Sequence, residues 1–162
     1  MAETFAWSES NLVGQVVADG ITNVNLGSVD DHELNTTTYP VTRGTNSFAK
    51  YIRAKFTGTW TTISNMKFWK SAGALDGEEA IKADSNVTYA TPSQVDIGDG
   101  DVPTVVGSAL SVNSAEGEAT IVYGVTGVSG YSAYIRLQGQ YTSSMPSGAV
   151  AQKTFCFQYD VV

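Results

Sequence analysis

Three groups of residues in this sequence are of types that could do chemistry. The single histidine, His32, sits in Asp30-Asp31-His32-Glu33. A histidine works as a general base when a Ser or Cys nucleophile lies within hydrogen-bond reach. Here it falls in a polar segment with no nucleophile motif beside it, and no GxSxG occurs, so a solvated loop histidine is the expectation. The single cysteine, Cys156, lies between Phe155 and Phe157. One cysteine excludes an internal disulfide and a CxxC zinc site, and aromatic neighbours suit a packed thiol better than a nucleophile. Residues 96–101 alternate Asp and other residues around two glycines, faintly like a calcium loop, but the twelve-residue ligand set of an EF-hand is missing. A mobile acidic loop is expected. There is no Walker loop, no HExxH and no Cys/His cluster. Paired carboxylates for glycoside hydrolysis leave no local pattern and stay open. No catalytic, cofactor-binding or metal-binding residue is therefore assigned, and no cofactor is expected.

What remains is contact chemistry, and it concentrates in residues 46–73. That stretch holds Trp60, Trp69 and five of the nine bases, Lys50, Arg53, Lys55, Lys67 and Lys70, with no Asp or Glu. Residues 41–75 add Arg43 and form a local +6, whereas the rest of the chain sets three bases against sixteen acids. The formal net charge is −7. This asymmetry argues against general nucleic-acid binding. It suits either a basic strip that meets an acidic surface or a strand pair that shows its bases to solvent. Arg53, Lys55, Lys67 and Trp69 occupy the phase opposite the apolar one and are the candidate interface. Trp7 is a fifth candidate: it packs on its own domain or, as part of an arm, on a neighbouring subunit. The rival use of these aromatics, Trp60 and Trp69 with tyrosines, is a platform for a glycan.

The elements that position these residues read as strands. Apolar residues make up 42% and charged residues 15%, with many Thr, Ser, Val and Gly, which points to an all-β domain rich in turns. The length, 162 residues, suits one domain with a real core. Residues 1–11 are expected as an N-terminal arm or edge strand and residues 12–162 as a single β-sandwich domain. Two apolar runs, 12–18 and 21–26, flank Asp19-Gly20, a strong hairpin signal. Strands follow at about 48–57 and 61–70, with Ile52, Ala54, Phe56, Trp60, Met66 and Phe68 inward. Asp76 and Glu79 resemble a capping box, so residues 79–83 are expected as one helical turn. A short strand is expected at 88–91. The last third reads as strands at 102–106, 109–112, 119–123, 131–141 and 153–161, punctuated at 116–117 and 124–130. Tyr-Ile-Arg occurs at 51–53 and 134–136, implying two core strands with Ile inward and Tyr and Arg outward. Such a chain is a two-sheet β-sandwich, jelly-roll-like, with long loops and little helix.

No apolar run reaches the length of a membrane span, and residues 1–11 carry no charged-then-apolar signal. Synthesis in a cytoplasm is expected.

The phrases TFAWSESN, DGITNVNLGSVD and TYPVTRGTNSFAKYIRAKFTGTWTTISNMKFWKSAG resemble small virion structural proteins of tailed bacteriophages, over roughly residues 3–92. The resemblance implies a non-enzymatic β-sandwich made in the host cytoplasm and carried on the virion. The place it implies first is capsid decoration or cement on the outer capsid surface, bound to the major capsid protein or other virion proteins. The alternative is a tail or baseplate component. It also implies a homo-oligomer, with a trimer as the expectation, and no nucleic-acid or membrane partner. No site residues carry over from that family.

Overall fold

The structure is a computed structural model that describes residues 3–32, 34–124, 130–148 and 150–162. Among the described residues nine strands carry the fold: β1 (Thr4–Asn11), β2 (Val16–Asp19), β3 (Lys50–Thr57), β4 (Thr62–Ala72), β5 (Glu79–Asn86), β6 (Leu110–Ser111), β7 (Ile121–Val122), β8 (Tyr134–Tyr141) and β9 (Thr154–Val161). Among the described residues the only helical element is a 3-10 turn at Val106–Ser108. One antiparallel sheet has the order β2-β1-β3-β8-β5; in the other, β4 pairs β6 and β7, and also β9. The chain is thus nearly all-β with two packed antiparallel sheets. This strand order does not by itself establish a jelly-roll winding.

Alternation decides which residues face the core. Along β3, Ile52, Ala54 and Phe56 are buried, and along β4, Ile63, Met66 and Phe68 are buried. Ile81 of β5 and Ile135 and Leu137 of β8 join them in one cluster. Each such side chain taken from water contributes about 1.5–3 kcal/mol. The twin Tyr-Ile-Arg triplets turn out to be cross-strand partners: Ile52 lies opposite Ile135, and Tyr51 opposite Arg136. Both isoleucines face the core, as their phase implies.

Several elements differ from the sequence reading. Residues 4–11 form a strand of the sheet: β1 pairs β3 from Thr4 to Ser10, whereas β2 pairs it only from Ser8 to Asn11, so its first half lies at a sheet edge. The hairpin turn is at residues 12–15, where Leu12, Gly14 and Gln15 all have positive φ. Asp19-Gly20 instead ends β2; the Gly20 N–H still reaches the Trp7 carbonyl, at 2.8 Å, and the chain then leaves the sheet. Residues 79–83 are strand, not helix, since β5 pairs β8 at every position from Glu79 to Asn86. A ladder of that length outweighs one possible capping box. Residues 88–91 form no strand. Of the 124–130 segment, residues 125–129 lie outside the described residues.

An ionic constraint sits on the inward face beside the core. Lys50 and Glu9 are both fully buried, with Nζ 3.0 Å from Oε1. Lys50 also donates to the Asp31 carbonyl at 2.5 Å. Asn11 donates to Glu9 at 3.0 Å and to Asp30 at 2.9 Å. Burial pushes the Glu9 carboxyl above the usual carboxylate range, while Lys50 and Asn11 pull against that shift. Removing one partner leaves the other charge buried alone. Lys50→Ala is therefore expected to lower unfolding stability by about 3–5 kcal/mol in urea titration. The double variant Glu9→Leu/Lys50→Met should recover most of that loss. A double variant as unstable as the single one would show that the pair's role is not charge compensation.

Candidate functional site: the interaction surfaces

β3 and β4 belong to different sheets, and each turns its apolar phase to the shared core. The opposite phases must then look out on opposite sides of the sandwich. Arg53 and Lys55 lie on the outer face of the five-stranded sheet, and Lys67 and Trp69 on the outer face of the other. The continuous basic strip expected from residues 46–73 does not form. Residues 58–61 cross from one sheet to the other, so neighbours in sequence are separated in space. Two further bases of that stretch are internal: Lys50 in the buried pair, and Lys70, which donates to the Gly73 carbonyl at 2.6 Å.

The five-stranded outer face is largely self-contained. The Arg53 guanidinium lies over Tyr131 at 3.9 Å and over Tyr134 at 4.9 Å. Lys55 pairs with Asp19 at 2.5 Å, and the Ser8 hydroxyl donates to the same carboxylate. The Lys55 and Ser8 hydrogen bonds hold the Asp19 carboxyl below its usual range. Tyr51, Tyr89 and Tyr134 pack edge to face around this group, with Tyr51 5.1 Å from Tyr89 and 5.8 Å from Tyr134. Arg136 takes a fork on Asp84, at 3.1 and 2.9 Å, and reaches Asp99 at 2.8 Å. Burial works against the Arg136 charge, but these two carboxylates outweigh it and hold its pKa above the usual value.

The acidic 96–101 loop is accounted for in the same way. Asp96 accepts from the Gly98 N–H at 2.8 Å and from Gln140 at 2.7 Å; Asp99 meets Arg136, and Asp101 meets Lys82 at 2.8 Å. No group of three metal-ligating side chains occurs among the described residues. His32 lies 3.6 Å from the Asp31 carboxylate.

A cleft of about 1010 Å³ opens between the sheets. Its floor includes Trp7, Ile52, Phe68 and Ile81, and its wall carries Glu79, Tyr141 and Lys153. The Glu79 carboxylate is 2.8 Å from Lys153 Nζ, and both groups are buried. Burial and the Glu79 charge push the Tyr141 phenol up to about 12. At neutral pH it is a proton donor, not a base. The cleft's chemistry is an apolar floor beside a buried ion pair.

Trp7, one of the expected contact residues, faces inward. It meets Phe68 at 6.2 Å and Phe157 at 5.4 Å, so it packs on its own domain. Trp60 packs beside Phe56 and Tyr123 against the core. Trp60 and Trp69 therefore share no platform. Of the five candidate residues, Lys67 and Trp69 alone lie together, half-exposed on an outer face without an ion pair among the described residues.

On its side away from β4, β9 has no strand partner among the described residues. The signal was present: residues 154–161 contain no Lys, Arg or Pro, the residues that commonly protect an edge. Compared with protein-family models, with curated proteins and with solved structures, the chain matches none.

The Lys55–Asp19 pair gives a pH test. A carboxyl held low in the folded state stabilises the fold above its unfolded pKa, 3.8, and loses that contribution as pH falls through the folded value. Lys55→Met should thus reduce the urea midpoint near pH 7 and reduce it less at about pH 3. Equal losses at both pH values would show that the pair does not form in solution.

Proposed function

We propose that this chain is a structural protein of a tailed-bacteriophage particle: a non-enzymatic β-sandwich that attaches to the outer capsid surface as a decoration or cement protein. The observation that carries this reading is the outer face of the four-stranded sheet. There Trp69 and Lys67 stand half-exposed on one strand, opposite Cys156 and Gln158 of β9. An amphipathic aromatic beside a base on a sparsely charged sheet face is contact chemistry. The resemblance of residues 3–92 to virion proteins supports the same reading, and those residues include β1 to β5, most of the five-stranded sheet and the long central strand of the other.

The basic partner surface is narrower than the sequence suggests. Arg53 and Lys55 are engaged within the chain, so Lys67 is the base that meets the major capsid protein or another virion protein. Many symmetric copies on a particle multiply a weak contact, and a homo-oligomer would do so further.

The test is co-sedimentation of purified protein with particles that lack it. Binding to capsids and a higher capsid melting temperature are expected. Trp69→Ala should weaken binding about thirtyfold, the scale of a contact hot spot, and Lys67→Glu should weaken it less, while thermal unfolding of the isolated protein changes little. Binding to tails but not capsids would move the protein to the tail or baseplate. Binding to neither would sink the virion reading.

A further inference from the structure

The two sides of the sandwich are finished differently. On the β5 side the sheet edge is covered: the Ala83 N–H reaches the Gly100 carbonyl at 3.0 Å, and the Val102 N–H reaches Ile81 at 2.8 Å. The same segment continues to the other sheet, where the Lys70 N–H meets the Pro103 carbonyl at 2.8 Å. On the β1 side the Gly20 N–H reaches the Trp7 carbonyl and residues 21–26 line the cleft with Trp7 and Phe155, but among the described residues no backbone hydrogen bond joins them to β9. Among the described residues β9 pairs only β4, and β2 covers β1 only from Ser8 to Asn11. Between these two open edges lies a ridge of rings. Phe5 stacks on Phe157 at 5.7 Å and on Tyr159 at 6.0 Å, yet is 37% exposed. Val16 and Val17 of β2 are exposed as well.

We propose that this side is a self-association surface, and that β9 pairs antiparallel with β9 of a second copy about a two-fold axis. The chemistry of the strand selects that occupant. Its only charge is Asp160, which is itself held by Asn65 Nδ2 at 2.6 Å. The base that precedes it, Lys153, is buried on Glu79. An edge with this single charge, on a chain of net charge −7, offers little to a charged foreign strand, but it fits itself. With the axis at Phe157, Phe155 falls opposite the partner's Tyr159 and Phe157 opposite the partner's Phe157. Thr154 falls opposite the partner's Asp160, and Cys156 opposite the partner's Gln158. Aromatic residues then pair with aromatic residues on the inner face, and no like charges meet. A two-fold edge pairing is closed, so it ends at two copies instead of the three expected from sequence.

This inference does not rest on the virion reading, and its test needs no particles. Light scattering after gel filtration should give twice the mass of one chain across the micromolar to millimolar range. A single-chain mass throughout would overturn the proposal. Thr154→Glu/Gln158→Glu changes two exposed side chains and sets an acid against the partner's Asp160. It should weaken the dimer at least about tenfold with an unchanged circular dichroism spectrum; a folded variant that dimerises as before overturns the edge as the site. A second measurement does not depend on any variant. In this register the two Cys156 side chains are diagonal neighbours, about 7–8 Å apart. A short bismaleimide should therefore give a covalent dimer of the native protein, and singly labelled monomer alone would also overturn the pairing.

Discussion

A buried ammonium group organises one end of this sandwich. Lys50 begins β3, and its stem lies on the same face as Ile52, Ala54 and Phe56. Its charge cannot reach water there, so partners must be brought to it. Glu9 comes from β1 and the Asp31 carbonyl from the loop that follows β2. Asp30 in the same loop binds Asn11 and the Leu12 N–H at 2.6 Å. One cation therefore fixes where the long 20–49 connection touches down. It also helps to place the hairpin turn at residues 12–15, because Leu12 is tied from two directions: Asp30 takes its N–H, and the Tyr89 hydroxyl donates to its carbonyl at 2.7 Å. Those contacts hold Leu12 and Gln15 at positive φ, which costs about 1–2 kcal/mol per such residue.

The same contacts explain what could and could not be read in advance. β3 and β4 each bury one face, β9 half-buries Phe155, Phe157 and Tyr159, and β8 is buried on both faces; alternation revealed all four. Asp19-Gly20 is the better local turn, yet the real hairpin turn is held by Asp30, Tyr89 and Tyr134, distant in sequence. Glu79-Ala80-Ile81-Lys82-Ala83 is rich in helix formers, yet eight positions of pairing with β8 decide its state. Glu9 and Lys50 were legible in one respect. Each continues an inward phase, Glu9 that of Trp7 and Lys50 that of Ile52. Two opposite charges on inward phases of separate strands are a signal for a buried pair, although only the fold shows that they meet.

The contact surface was harder to read for a geometric reason. Bases crowded into residues 46–73 suggested one patch, but a β-sandwich places consecutive strands in either sheet. Once residues 58–61 cross over, Arg53 and Lys67 face opposite ways. Cation–π stacking and the Asp19 pair then engage Arg53 and Lys55 within the chain. Local charge density in a sequence overstates surface potential wherever strands alternate between sheets.

The low charge of the chain follows from the same economy of partners. Charged side chains that are paired internally, such as Arg136 with Asp84 and Asp99 or Lys82 with Asp101, contribute little to the field at long range. What the surface then offers a partner is shape, aromatic rings and backbone. β9 offers all three: an unpaired edge, the Phe5 and Tyr159 rings beside it, and a nearly uncharged outer row. A strand of that composition is a hazard in a free monomer, and it is stable against aggregation only if a specific partner covers it. The covered β5 side shows that this chain has a device for closing an edge. Its absence on the β9 side, among the described residues, is the structural reason to look for a partner there.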